Sequence, residues 1–233
     1  MVYKYYRSDS LHAVCNFCKD QLFFNNIYEY EDKKEFEIVS DDEIIQKTGL
    51  DLTPHLKEKR AFIIRVCSLC KKNDSDYMWK KYASNEEGFC LGYEMQDIMK
   101  AEKNLICGDI SYNDLVPELS EFDSPIDIFK NQIFHKLKKW ENEDEVRICY
   151  FFTDDQIQTV DFKAEVNDNL NLSYIPVSGN HERNMPQIRQ VLPKFKTITV
   201  VPKEVIIGRL CNDRLRKHLK EIAEKKNIAV FER

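Results

Sequence analysis

The sequence predicts an α+β fold built as a single domain over residues 1–233. Three observations predict it. Strand-like runs and amphipathic helical stretches are interspersed without the regular beat of βαβ units. No break in composition and no internal repeat marks a boundary along the chain. The apolar fraction is 42% and the aromatic fraction 12%, with 14 Phe and 11 Tyr, which is enough to bury a core and incompatible with a disordered chain.

The elements follow in order. Residues 3–6 form a short aromatic strand, after which Ser8 or Asp9 caps a helix whose Leu11, Val14, Cys15 and Cys18 fall at i, i+3, i+4 and i+7, the spacing of a buried stripe. Gln21-Leu22-Phe23-Phe24 is a strand ended by an Asn25-Asn26 turn. The charged run over residues 28–37 reads as a solvated loop or exposed helix face. Asp41 caps a short helix stopping near Gly49, and residues 61–67 form a central strand. Asp76 caps a turn of helix carrying Met78, Trp79 and Tyr82. Phe89-Cys90-Leu91-Gly92-Tyr93 is a buried strand whose Gly signals a bulge or a close backbone approach. Residues 105–112 are another strand.

Ser124-Pro125 opens a long helix with Ile126, Phe129, Ile133, Leu137 and Trp140 on one stripe and His135 inside it. It leads into the β-rich segment from Glu145 to Phe152. Strands are expected at 158–163, 170–177, 196–201 and 204–208, a helix capped by Asn212 over about 212–226, and a last strand from Ile228 to Phe231.

Composition excludes several classes. A net charge of −5 argues against a dedicated binder of the nucleic-acid backbone, which needs a basic surplus. The modest basic zone of Arg183, Arg189, Lys194, Lys196 and Lys203 reads as a solvated face. No apolar run approaches the roughly 18 residues of a membrane-spanning helix, and the opening residues lack a signal peptide's apolar core. The expectation is a cytoplasmic protein with no membrane partner. Phosphate-loop, dinucleotide, zinc-protease and serine-hydrolase motifs are absent, and the five His lack metal-ligand spacing.

Two C-x-x-C pairs, Cys15/Cys18 and Cys67/Cys70, resemble a zinc pattern because tetrahedral zinc takes four thiolates two at a time. Their neighbours are apolar and helix- or strand-like, and the gap between pairs exceeds the usual roughly 12 to 20 residues. Core cysteines are the favoured reading, with zinc the minority one. Cys90, Cys107, Cys149 and Cys211 also read as core.

Three stretches carry chemistry. In Glu143-Asp144-Glu145-Val146-Arg147 a strand starting near Glu143 sets Glu143, Glu145 and Arg147 on one face. Burial there would raise one carboxyl's pKa for acid–base work or aim a carboxylate at a cation, whereas on an edge strand the same charges are a solvent face. Met78 to Tyr93 brings Trp79 and Tyr82 beside a Gly-containing strand, either as the wall of a flat pocket or as core. Arg7, just before a helix start, suits a phosphate or carboxylate.

With these residues in place, the chain resembles an uncharacterised bacterial family, domain of unknown function 2971. The resemblance runs through Tyr3-Lys4-Tyr5 and Arg7, Leu22-Phe23-Phe24-Asn25, Met78-Trp79 with Tyr82-Ala83 and Gly88, Cys90-Leu91-Gly92, then Lys136, Trp140, Glu143, Glu145 and Arg147, and finally Pro202 and Ile206-Ile207-Gly208. Asn25-Asn26-Ile27-Tyr28-Glu29 departs from that family's usual N-D-P-F-E. More distantly, the order Arg7, then Ser68 or Tyr82, then Glu143/Glu145 resembles ADP-ribosyltransferases. That resemblance implies NAD as substrate, Glu145 stabilising a ribosyl cation, Glu143 orienting the acceptor, Tyr82 stacking on nicotinamide, and Arg7 holding phosphate or ribose, with Trp79 and Arg147 in the same cleft. It further implies a transferase or glycohydrolase acting as a toxin or antiphage effector, a protein or nucleic-acid acceptor, and control by a neighbouring gene's product or antitoxin. The competing expectations are a non-enzymatic sensing or protein-interaction module and a zinc-stabilised binding domain.

Overall fold

The computed structural model describes residues 1–30, 32, 35–37, 39–40, 64–119, 125–152, 162–166, 172–176 and 195–233. In chain order the elements are β1 (Val2–Tyr6), α1 (Leu11–Cys18), β2 (Gln21–Asn26), β3 (Val39–Ser40), β4 (Ile64–Cys70), α2 (Asp76–Tyr82), β5 (Phe89–Tyr93), α3 (Met95–Ala101), β6 (Leu105–Asp109), β7 (Ser111–Asn113), β8 (Glu118–Leu119), α4 (Pro125–Ile133), β9 (His135–Leu137), β10 (Glu145–Phe151), β11 (Phe162–Val166), β12 (Leu172–Pro176), β13 (Lys196–Thr199), β14 (Glu204–Ile207), α5 (Asp213–Lys226) and β15 (Ala229–Glu232). Nine of these strands form one mixed, mostly antiparallel sheet, and the helices are interspersed, so the fold is α+β as the sequence predicts.

The sheet is organised around β4. One edge of β4 pairs with β10 along its whole length, Ile64 against Phe151 through Cys70 against Glu145. A strand has only two edges, so β2 and β1 share the other. β2 meets it at Val66 and Arg65, and β1 meets it at Cys70. Between those contacts the edge forks, with Ser68 in the gap. β4 enters two apolar clusters along its length: Ile64, Val66, Cys67 and Leu69 join Phe17, Leu22 and Tyr93, whereas Cys70 at its end joins Tyr3, Met78 and Trp79.

Several local expectations hold. Asn212 caps α5, accepting from the Leu215 N–H, and Leu219, Ile222 and Ala223 form its buried face. Others need correction. Ser10, not Ser8 or Asp9, caps α1, and Ser75, not Asp76, caps α2. On α1 the buried residues are Ala13, Asn16 and Phe17, while Leu11, Cys15 and Cys18 face solvent. The long helix ends at Ile133. His135 and Leu137 lie in β9, which pairs in parallel with β7, and Trp140 lies in a 3-10 turn over Lys138–Glu143. β15 is exposed along its length. The expected helix from Asp41 to Gly49, the Ser124 cap, and Arg183, Arg189 and Lys194 lie outside the described residues; Lys203 and Lys196 are paired with Asp97 and Glu102.

Gly92 makes no bulge, since pairing runs unbroken through it on both sides; the side chains of Glu204 and Met1 approach it instead. Gly88 is constrained harder. A Cβ there would stand 2.0 Å from the Tyr6 carbonyl oxygen, so backbone would have to move. Gly88→Ala is expected to cost about 1–3 kcal/mol in urea unfolding; an unchanged midpoint would show that β1 and β5 have slack.

The cysteines divide by position. Cys67 and Cys70 sit three apart on one continuous strand, so their side chains leave opposite faces and do not form a knuckle. Five cysteines are buried, whereas Cys15, Cys18 and Cys107 are exposed, which corrects their reading as core. A thiol reagent on the native chain is expected to modify those three fast and the other five only on unfolding. Fast reaction of Cys67 or Cys70 would contradict the placement. Among the described residues no group of three or more His, Cys, Asp or Glu is placed to hold a metal ion. Among them, too, no helix is long and apolar enough to cross a membrane.

Candidate functional site

A cleft of about 260 Å³ opens at the fork of the sheet. β1 contributes Lys4 and Tyr5, β2 contributes Phe23 and Asn25, and β4 contributes Val66 and Ser68. Lys4 Nζ donates to the Ser68 carbonyl at 2.7 Å, using an acceptor left open on the β4 edge between its two partners. The Tyr30 hydroxyl meets the Val66 carbonyl at 3.3 Å and Ser68 Oγ at 3.2 Å.

Opposite this floor lies a charged wall. β10 begins at Glu145, not Glu143, because Asp144 turns the chain in the left-handed region at φ 43°. Glu145 and Arg147 therefore share a strand face, and Glu143 reaches the same place from the end of the 3-10 turn. β10 lies between β4 and β6, so the face is interior: Glu145 is 3% exposed and Arg147 fully buried, not an edge strand's solvent face.

Such burial requires internal counter-charges, and Lys136 on β9 supplies one. Its Nζ lies 2.6 Å from Glu143 Oε2, 3.0 Å from Glu145 Oε2 and 3.3 Å from Glu35 Oε1. Arg147 supplies the other, donating from Nε to Glu145 Oε1 at 2.8 Å and from its terminal nitrogens to Glu35 and the Ile133 carbonyl. The Glu145 backbone N–H donates to the Tyr112 hydroxyl at 2.9 Å. Glu143 Oε1 accepts from Tyr82 at 2.5 Å and from Lys81 at 3.0 Å. Lys81 also stands 3.6 Å above the Trp140 ring, whose indole N–H donates to Asp32 at 2.5 Å.

This surrounding pushes two of the carboxyls in opposite directions. Burial works against charge on Glu145, but Arg147 and Lys136 outweigh it and hold its carboxyl well below the ordinary range. At Glu35 burial wins over the same two cations, and its carboxyl is pushed up. Lys136 is held above its usual range because Glu145, Glu35 and Glu143 overcome its own desolvation. Burial and the Glu143 charge push the Tyr82 hydroxyl up, so it stays a donor. One carboxylate fixed as an anion beside another disposed to bind a proton is a pairing that acid–base chemistry uses.

Of the residues singled out in the sequence, Glu143, Glu145, Tyr82 and Ser68 line the cleft. Arg147 lies beneath it as the partner of Glu145. Trp79 is fully buried, edge-on to Tyr5 with its indole N–H on the Asn73 carbonyl, and is a core residue. Arg7 is exposed, pairs with Asp9 at 3.1 Å, and is not part of the cleft wall. The cation that β1 sends into the cleft is Lys4.

The sequence reading missed Glu35 and Asp32, which come from the charged run taken as solvated, and gave no role to Lys136 or Lys81. It placed Trp140 as a helix anchor, whereas the half-buried ring lines the cleft. No local signal marks Glu35 or Asp32; Lys136 was visible only as a member of the family motif.

No curated protein and no solved structure matches the chain. A family model described as "Protein of unknown function (DUF2971)" matches residues 78–148. That segment runs from α2 into β10 and brings Lys81, Tyr82, Lys136, Trp140, Glu143, Glu145 and Arg147, so most of the charged wall of the cleft, though not Glu35 or Asp32, lies in the part of the chain that matches, and the family whose model matches is the one that the sequence resembles.

Proposed function

We propose that the cleft binds the nicotinamide end of NAD and cleaves the bond between nicotinamide and ribose, passing ADP-ribose to water or to a protein or nucleic-acid acceptor. The observation that carries this reading is the make-up of the cleft. Glu29, Asp32, Glu35, Glu143 and Glu145 line it against three ammonium groups, Lys4, Lys81 and Lys136. Carboxylates beside the rings of Tyr82 and Trp140, over both of which a lysine ammonium, Lys81, already stands, suit a flat cation, and the nicotinamide ring of NAD is one.

The chemistry follows from the groups present. As the bond from ribose C1′ to the ring nitrogen breaks, its electron pair leaves with nicotinamide and neutralises the ring. Positive charge then develops on the ribose, where Glu145, fixed in its ionised form, stabilises it. The acceptor oxygen bonds to C1′ and gives up its proton to Glu35, whose raised pKa makes it the better proton acceptor. Glu143, held by Tyr82 and Lys81 at the wall, orients that acceptor. Lys4 and Ser68 take the positions in the chain order that the sequence reading gave to Arg7 and to Ser68 or Tyr82. A role as a toxin or antiphage effector restrained by a partner protein agrees with destructive use of NAD.

The test is release of nicotinamide from NAD by the purified chain, measured by chromatography, with Glu145→Gln as comparison. No release above buffer, with no thermal shift on adding a non-hydrolysable NAD analogue, would overturn the reading. A second reading is a non-enzymatic binding module. It draws on the fact that both Glu145 oxygens are already engaged, by Arg147 and Lys136, and it expects binding without turnover.

A further inference from the structure

The cleft is too small for a whole dinucleotide. Pockets that enclose drug-sized ligands are on the order of 300–1,000 Å³, and about 260 Å³ accommodates the nicotinamide–ribose end alone. The rest of the ligand must cross the surface outside it. Resting on the reading of the cleft as an NAD site, we propose that the adenine ring of NAD stacks on an aromatic shelf made by Phe23, Phe195 and His12.

Phe23 joins the two regions. It lines the cleft, and on its other side its ring centroid is 5.0 Å from Phe195 at an interplanar angle of 33° and 5.1 Å from His12, edge-on. Phe195 stays 47% exposed and His12 is exposed, so a cluster of aromatic rings, tilted or edge-on to one another, continues outward from the cleft and leaves the Phe195 ring open to a flat partner. Strand pairing holds it in place. Lys196 of β13 pairs with Phe24 of β2, and extending that register by one sets Phe195 across from Asn25, itself a lining residue of the cleft.

Lys4 fits the connecting pyrophosphate. The other two lysines of the cleft are committed to carboxylates, Lys136 to three and Lys81 to Glu143. Lys4 makes no ion pair among the described residues. One of its three N–H bonds goes to the Ser68 carbonyl, and its side chain lines the same cleft as Phe23 and the carboxylates. Carboxylates for the cationic ring, a lysine without a carboxylate partner among the described residues for the phosphates, and an aromatic shelf adjoining the cleft at Phe23 for the second base are the groups that a dinucleotide needs.

The experiment compares two ligands on the full chain by calorimetry: a non-hydrolysable carbocyclic NAD and the matching nicotinamide mononucleotide analogue, which lacks the adenosine half. Phe195→Ala is expected to weaken the dinucleotide about ten-fold or more, the scale of one base–aromatic stack. The mononucleotide should bind unchanged, and Phe195→Tyr should retain both affinities. If the wild-type chain binds both ligands and Phe195→Ala leaves the dinucleotide's affinity intact, or weakens both ligands alike, the shelf is wrong and the cleft reading survives. If the wild-type chain binds neither, the cleft reading falls and the shelf with it. A melting temperature measured on each variant confirms that a loss of binding is not a loss of fold.

Discussion

Replacing Lys136 by Met is expected to destabilise the chain by about 3–5 kcal/mol, the usual cost of removing one partner from a buried ionic cluster. The side chain stays long and apolar, so the loss is of charge more than of volume. Glu35, Glu143 and Glu145 would then face one another with, among the described residues, Arg147 and Lys81 to balance them. All three are buried, with little solvent to screen their repulsion.

The pH dependence supplies an independent check. Lys136 has a folded-state pKa above its unfolded value, so its contribution is complete below about pH 10.4 and is lost as pH rises through the folded value. Glu145 is depressed, so its contribution is present above about pH 4.3 and is lost as pH falls through the folded value. Glu35 runs the other way: raised, it binds a proton more tightly folded than unfolded, and stability falls as pH rises from its unfolded value through its folded one. Lys136 lowers the carboxyls of both Glu35 and Glu145, so without it those two move up, and the gap between wild type and variant should narrow from pH 7 to pH 5. Urea unfolding at both pH values measures it. A Lys136→Met variant within about 1 kcal/mol of wild type at pH 7 would mean that the cluster is not the tight ionic network described. Adding Glu143→Gln to that variant should restore part of the loss, since the two positions are in contact.

What the sequence disclosed of this network, and what it hid, follows from the range of each signal. Period-two alternation acts over a few residues, so it set Glu145 and Arg147 on one strand face. It failed at Glu143 because the left-handed Asp144 interrupts the strand. Helical periodicity continued falsely from Ile126 to Trp140 because β9 is only three residues long and owes its conformation to pairing with β7, a contact that spacing does not report. The same error concealed Lys136. On α1 the apolar stripe was present but not buried; the sheet takes the face carrying Asn16 and Phe17 instead. Glu35 and Asp32 were unreadable for a plainer reason: within a charged run, a residue destined for a buried ion pair carries no local mark. The strand order, fixed by long-range pairing, was beyond all of these signals, and the fork in β4 that makes the cleft is a product of that order.

Glu145→Gln is expected to slow nicotinamide release by about 10²–10³-fold, the effect of removing one preorganised charge aimed at the reacting centre. The substitution preserves shape and removes the anion. It also leaves Arg147 Nε without a carboxylate, so the variant should melt at lower temperature, and the rate must be taken well below that melt and expressed per folded molecule. Trp79→Phe controls for destabilisation: it breaks the bond to Asn73 in the core outside the cleft, so it should lower stability while leaving the rate per folded molecule near wild type. Glu143→Gln separates the two steps. If Glu143 orients the acceptor, its loss should depress transfer of ADP-ribose to an added acceptor more than hydrolysis by water, whereas Glu145→Gln should depress both alike. Equal rates for wild type and Glu145→Gln would remove the carboxylate from the chemistry and leave the cluster as a structural network beneath a binding cleft. A rate lost equally in Trp79→Phe would trace the effect to folding.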